Sequence, residues 1–197
     1  MTSPGAAPAA GTERNRRRDL LIAYADLVLE EGERAATLDA VAARAGVSKG
    51  GLLYHFPSQR KLRHGLAEFY LQQLHLEIEE LQASGESPAR WYLRTSSDYL
   101  SELERITAAL VAIENTSTDE IRETLQRGRD RWADLIRDEL GDDLTVVVIQ
   151  LGDGIAYNAQ VDGTGDAGGS PSEFGTSARA ERLLDALHEY RASESAT

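Results

Sequence analysis

The sequence predicts an all-α protein of about nine helices, a small N-terminal unit of short helices followed by a larger helical body. Three observations carry this. Apolar residues recur at three- and four-residue spacing in nearly every segment between breaks. The breaks hold cap and stop residues: Thr37, Ser48 and Ser58 ahead of helices, Gly32, Gly46 and Gly141 behind them, Pro57 and Pro88 at boundaries. Only Thr145-Val-Val-Val-Ile149 favours a strand, and no other stretch offers it a partner, so it reads as a helix buried on most sides.

The elements follow in order. Residues 1–13 read as a disordered arm. Asn15 to Glu31 is a helix with Leu20, Leu21, Tyr24, Leu27 and Val28 on one face, stopped by Gly32. Thr37 caps a short helix over 38–45, and Ser48 caps a second over 48–55. Pro57 stops that one. Ser58 caps a long fourth helix to about Leu81, with Leu62, Leu66, Phe69, Tyr70, Leu74 and Ile78 inward. Pro88 opens a helix to about Leu103, and Ile106–Glu114 forms another. Asn115–Asp119 is a loop, Glu120–Leu140 a helix ended by Gly141, and Leu144–Gln160 the next. Gly163–Gly175 reads as a mobile loop. A last helix over Thr176–Ala192 carries Ala180, Leu183, Leu184, Leu187 and Tyr190. The domain boundaries expected are 14–60, reaching about 65 with the start of helix 4, and 61–197.

Charge is unevenly shared. The 197 residues carry a formal charge of −12. Residues 1–65 hold ten Lys and Arg against seven Asp and Glu, a net of +3; residues 66–197 hold eleven against twenty-six, a net of −15. A basic reader on an acidic body suggests two modules with different partners. With no cysteine, disulfides, thiolate zinc sites and thiol nucleophiles are excluded. There is no run of eighteen apolar residues and no signal peptide, so a cytoplasmic protein with no membrane partner is expected.

Helices 38–45 and 48–55 around Gly46-Val47 make a helix-turn-helix. A short second helix held proud of the surface fits the major groove of DNA, about 12 Å wide. The run Thr37-Leu-Asp-Ala-Val-Ala-Ala-Arg-Ala-Gly-Val-Ser-Lys-Gly-Gly-Leu-Leu-Tyr-His-Phe-Pro-Ser58, with the helices on either side, resembles the TetR (tetracycline-repressor) family of bacterial transcription regulators. The motif-bearing match covers about residues 16–70. The resemblance implies phosphate contacts from Thr37, Arg44 and His55. It implies that Ser48 caps the recognition helix and touches backbone, that Lys49 and Gly50 reach base edges or phosphate, and that Tyr54 sits over a base edge. Gly50 and Gly51 would let the helix backbone approach DNA closely, although each costs about 1 kcal/mol in a helix. Three positions depart from the family pattern: Gly51 lacks the usual hydroxyl, Leu53 replaces a phosphate-binding Tyr, and Gln59 replaces a Lys for which Arg60 or Lys61 would stand in.

The resemblance makes the acidic body a ligand-binding and dimerisation domain. Trp91, Tyr92, Tyr99, Trp132 and Tyr157, with Gln150, Asp153 and Asn158, are candidates for a pocket wall holding an unknown small-molecule effector; each is equally read as ordinary core or surface. Val146, Val147, Ile149, Gly152 and Ile155, with Ala180, Leu183, Leu184 and Leu187, are candidates for a homodimer interface; the plain alternative is packing within one chain. Phosphate-loop, GxSxG and HExxH motifs are absent. His75 with Glu77, Glu79 and Glu80 reads as a solvated face rather than a metal site. The expectation is a ligand-responsive regulator, a repressor binding a palindromic DNA operator as a dimer, with no cofactor and no enzymatic activity. The alternatives are a regulator without small-molecule sensing and, remotely, a helical enzyme.

Overall fold

The computed structural model describes residues 10–114, 119–161 and 176–195. Among them nine helices occur: α1 (Ala10–Glu31), α2 (Leu38–Arg44), α3 (Lys49–His55), α4 (Gln59–Ser84), α5 (Pro88–Thr95), α6 (Glu102–Glu114), α7 (Asp119–Leu140), α8 (Asp142–Val161) and α9 (Ala178–Ser195). The described residues contain no strand. None of their helices is long and apolar enough to cross a membrane. The expected loop at 163–175 and the side chain of Leu187 lie outside what is described.

The chain divides into two compact units, and the division differs from the expected one. Unit 1 is residues 1–71 with 106–123, and unit 2 is residues 72–105 with 124–197. Helix bounds also differ, among them these. α1 begins at Ala10, inside the segment read as an arm. The helix expected from Pro88 to Leu103 stops at Thr95. There the hydroxyls of Thr95, Ser96 and Ser97 donate back to the carbonyls of Trp91, Tyr92 and Arg94, giving the backbone an alternative to continuing. Ser101 then caps α6, accepting from the Glu104 N–H at 3.2 Å.

In unit 1, α1 packs on α2 and α2 on α3. The core is Leu20, Leu21, Tyr24, Leu27 and Val28 of α1, Val41 and Ala42 of α2, Leu52 and Phe56, and Leu62 and Leu66 of α4. Gly46 takes φ +66, so the chain turns sharply between α2 and α3. Gly65 lets the Phe56 ring lie against α4: a Cβ there would stand 2.5 Å from Phe56 Cε1. Glu33, half-buried, pairs with Arg63 at 3.4 Å.

In unit 2, α5 packs on α8 and α9. Glu139 closes the N-terminus of α5: its carboxylate accepts from Ser87 Oγ at 2.6 Å and from the Ala89 N–H at 3.0 Å, placing negative charge where helix dipoles favour it. Arg90 ties α5 to Asp185 of α9. α8 buries Thr145, Val148, Ile149, Gly152, Ile155 and Ala159. The valine run is helical but is not buried on most sides, since Val146 and Val147 are exposed.

Candidate nucleic-acid interface and effector site

Two N-caps order the starts of α2 and α3 in unit 1. Thr37 Oγ1 accepts from the Ala40 N–H at 3.2 Å, and Ser48 Oγ from the Gly51 N–H at 3.1 Å. Each hydroxyl still has its proton to donate outward. α3 is only seven residues long and buries Leu52 alone within its span. The rest of it faces out: Tyr54 is 74% exposed, and Lys49, Gly50, Gly51 and Leu53 are exposed. His55 is half-buried, edge-on to Tyr54 at 5.1 Å between ring centroids.

The cations of this face already hold carboxylates. Lys49 Nζ is 2.9 Å from Asp39, and Arg44 reaches Glu30 with both terminal nitrogens, at 3.1 and 2.6 Å. The hydrogen bond to Glu30 raises the pKa of Arg44 further. Tyr54 Oη donates to Glu13 at 3.4 Å. Lys61 and Arg60 are exposed in the first turn of α4. Gln59 instead donates to the Ala36 carbonyl at 3.4 Å, a tie to the turn before α2.

The glycine pair is not demanded by the protein's own packing. A Cβ at Gly50 would meet only Ser48 Oγ at 4.0 Å, and one at Gly51 would meet Ser48 Oγ at 3.4 Å and Val47 Cβ at 3.9 Å. Both are ordinary contact distances, and neither residue has positive φ.

Unit 2 brings together some of the residues proposed for a pocket. Tyr92 Oη donates to Asp153 at 2.9 Å, and its ring lies 5.3 Å from that of Trp132. Trp91 is buried, donates from Nε1 to Glu77 at 3.1 Å, and carries the Arg94 guanidinium 4.6 Å over its ring. Arg129 pairs with Asp153 at 3.3 Å. The Tyr99 hydroxyl is buried and has no hydrogen-bond partner among the described residues. Other candidates lie elsewhere. Gln150 is exposed, Tyr157 is 67% exposed, and Asn158 donates to the Gly154 carbonyl of its own helix at 2.6 Å.

Two carboxyls here differ from the sequence reading: Glu77, read as part of a solvated face, is half-buried against Trp91, and Glu104 is one that reading passes over. Burial pushes the pKa of Glu77 up, and the hydrogen bond from Trp91 partly offsets this. Glu104 is pushed up to about 8 by burial first, then by Glu77, Asp153 and Asp98. Among the described residues no hydrogen bond or ion pair reaches its carboxyl. The signal available was the Ser101-Glu102-Leu103-Glu104 pattern, which marks a helix start but not that its acid lies inside.

The proposed interface residues also divide. Ile149, Gly152, Ile155 and Leu184 are buried within unit 2 and give a second chain nothing to cover. Gly152 has a different use: a Cβ there would stand 2.3 Å from Tyr92 Cε1, so the missing side chain seats Tyr92 on α8. Val146, Val147 and Leu183 are exposed, and Ala180 is half-buried. His75 pairs with Glu79 at 3.4 Å, and the described residues contain no group of three metal-ligating side chains.

Comparison with known proteins agrees with the N-terminal architecture. Residues 21–66 match the family model for bacterial regulatory proteins of the tetR family. The chain is 36% identical over 112 residues to the transcriptional activator FasR of Mycolicibacterium smegmatis, covering 53% of this chain and 45% of that one. It is 35% identical over 85 residues to the transcriptional repressor KstR2 of Rhodococcus jostii, covering 43% and 41%. These alignments thus span less than half the length of the curated relatives. The fold matches the TetR-family protein CprB from S. coelicolor A3(2), with a TM-score of 0.61 at 19% identity, over 78% of this chain and 81% of that one. It also matches a Saccharomonospora viridis protein, described as a transcriptional regulator and solved in complex with choline. There the TM-score is 0.59 at 19% identity, over 89% and 96%. These matching proteins are regulators, not enzymes. The family model, the capped helix pair and the all-helical fold agree: over residues 21–66 the chain carries the N-terminal domain of the tetR family of bacterial regulatory proteins.

Proposed function

We propose that the protein is a homodimeric transcription regulator, a repressor that reads a palindromic DNA operator with α3 and is released by a small molecule held in unit 2. The outward face of α3 carries this reading. A seven-residue helix that leaves Tyr54, Leu53, Lys49 and two glycines in water is a poor use of sequence for the protein's own stability. It is a good use for a helix that lays its backbone into a groove, where glycines permit close approach and Tyr54 reaches a base edge. Thr37 and Ser48 offer hydroxyl donors to phosphate beside it.

Lys49 and Arg44 hold Asp39 and Glu30 in the free protein, so binding exchanges a carboxylate for a phosphate at each. Both pairs are exposed and worth little by themselves, so the exchange is cheap. Pairing of two copies through the exposed apolar residues of α8, Val146, Val147, Tyr157 and Val161, with Leu183 of α9, would present two reading heads. Heads that match one turn of DNA, about 34–36 Å apart, bind together. α4 is one uninterrupted helix shared by units 1 and 2, so a ligand that prefers one state of unit 2 has a continuous element through which to act.

The test begins with selection of bound DNA from a random pool. On the selected site, Lys49→Ala is expected to weaken binding about tenfold at ~150 mM salt and to reduce the salt slope by about one. Unchanged affinity and slope would overturn the assignment of α3. Light scattering that shows a monomer at micromolar concentration would overturn the dimer.

A further inference from the structure

We infer that Glu13, at the start of α1, is a specificity-determining residue for DNA: it takes the hydroxyl proton of Tyr54, so that Tyr54 reads the exocyclic amine of a base in the major groove. This rests on the reading of α3 as the helix that enters DNA, and names the base chemistry that one of its side chains would take.

The first turns of α1 are tied to α3 and α4 although they bury no side chain from Glu13 to Asp19. Arg17 pairs with Glu68 of α4 at 3.0 Å, and its guanidinium lies 5.2 Å from the ring centroid of Phe56, the residue that ends α3. Glu13 stands one turn earlier on the same helix face and accepts from Tyr54 Oη at 3.4 Å. It is half-buried there. Tyr54 is thus held at two points. Its ring meets His55 edge-on, at 5.1 Å and 82°, and its hydroxyl meets Glu13. The side chain is still 74% exposed, so most of it remains open to a partner.

Three groups on or beside α3 hold carboxylates: Lys49 holds Asp39, Arg44 holds Glu30 and Tyr54 holds Glu13. They differ in what they can still offer. Lys49 and Arg44 are donors only and exchange one anion for another. A tyrosine hydroxyl has one proton and two lone pairs, and a carboxylate can only accept, so the proton of the Tyr54–Glu13 bond belongs to Tyr54. With that proton committed, Tyr54 faces outward with lone pairs alone. Phosphate oxygens, guanine O6 and N7 and thymine O4 are acceptors, and none of them can bond to it. The N6 amine of adenine and the N4 amine of cytosine are donors, and either can bond while Glu13 stays in place. Glu13 therefore withholds Tyr54 from the backbone, which is the same in every sequence, and leaves it a reader of base edges, which are not. The contact is long and its tyrosine is exposed, so it contributes little to the fold. Arg17 keeps the start of α1 in place without it.

The test uses the full-length protein on the DNA that the wild type selects from a random pool. Each adenine or cytosine of a half-site is replaced in turn by an analogue without the major-groove amine, 2-aminopurine for adenine and 2-pyrimidinone for cytosine. One such replacement is expected to weaken the wild type about tenfold, and to change the binding of Glu13→Ala and of Tyr54→Phe by less than about threefold. Affinity for random-sequence DNA is expected to rise in Glu13→Ala, and to rise less when Tyr54→Phe is added, because no hydroxyl is then left to reach phosphate. Loss of a negative charge alone would raise affinity for every sequence alike and leave the sensitivity to the missing amine as it is in the wild type; that outcome would overturn the inference. So would a wild type indifferent to every amine replacement, or a sensitivity that Tyr54→Phe removes and Glu13→Ala retains. A wild type that selects no DNA at all would overturn the reading of α3, and the role of Glu13 with it.

Discussion

The two units solve one packing problem in the same way and one electrostatic problem in opposite ways. Each seats an aromatic ring on a helical glycine: Phe56 on Gly65 in unit 1, Tyr92 on Gly152 in unit 2. Phe56 ends there, fully apolar and 2% exposed. Tyr92 carries a hydroxyl through to Asp153. Each unit also encloses a glutamate. Unit 1 neutralises Glu33 with Arg63, whereas among the described residues of unit 2 nothing pairs with the Glu104 carboxyl, and further carboxyls act on it. Unit 1 closes its enclosed charge within the fold, and unit 2 sets its own among like charges.

The glycine seats give the largest expected effects. Gly152→Ala drives a Cβ to 2.3 Å from Tyr92 Cε1 and to 3.0 Å from Ser96 Oγ, while the Asp153 hydrogen bond resists rotation of the ring. Overpacking of this kind costs about 1–3 kcal/mol. Gly65→Ala meets Phe56 Cε1 at 2.5 Å, with the next contacts at 3.3 Å, so it should cost less. Chemical denaturation of both variants measures the order. Adding Tyr92→Leu to Gly152→Ala should recover part of the loss, because the two sites share one contact. Purely additive effects would break the account of the seat.

The enclosed carboxyl of Glu104 predicts how stability depends on pH. Glu104 in the folded chain holds its proton up to about 8, whereas an unfolded glutamate releases it near 4.5. Between those values the folded state binds more protons, so stability falls as pH rises through that window. Glu77, also raised by burial, acts in the same direction. Melting temperature is expected to drop between pH 5 and 8. Glu104→Gln should flatten the drop and raise stability at pH 8. A profile in Glu104→Gln as steep as the wild type would remove Glu104 as its source.

How much of this was legible in the sequence differs between the units for a physical reason. In unit 1 the deciding interactions are local. Thr37 and Ser48 cap amides three residues away, and Gly46 turns the chain beside them, so spacing along the sequence is spacing in space. In unit 2 the deciding contacts are long-range. Tyr92 and Asp153 stand 61 residues apart, and Ser87 and Glu139 stand 52 apart. No local pattern records such partners. For the same reason Ile149 and Ile155 could be recognised as apolar, but not assigned to the inside of their own unit rather than to a second copy. The helix bound at Thr95 lay in view, since three consecutive hydroxyl residues competing for carbonyls are a local signal.

The smallest expected effect concerns the glycines that nothing inside the protein requires. Gly50 and Gly51 lie in α3 with open space or ordinary contact distance around an added Cβ. Replacing either with Ala should therefore stabilise the helix by up to about 1 kcal/mol, the ordinary difference in propensity. That contrasts with Gly65 and Gly152, where the same methyl group is destabilising. If the α3 glycines serve an approach to DNA, Gly50→Ala will melt slightly higher than the wild type and yet bind the selected site more weakly. Rising stability with unchanged DNA affinity would show that the pair serves neither packing nor recognition, and would leave Tyr54 and Lys49 to carry the reading face alone.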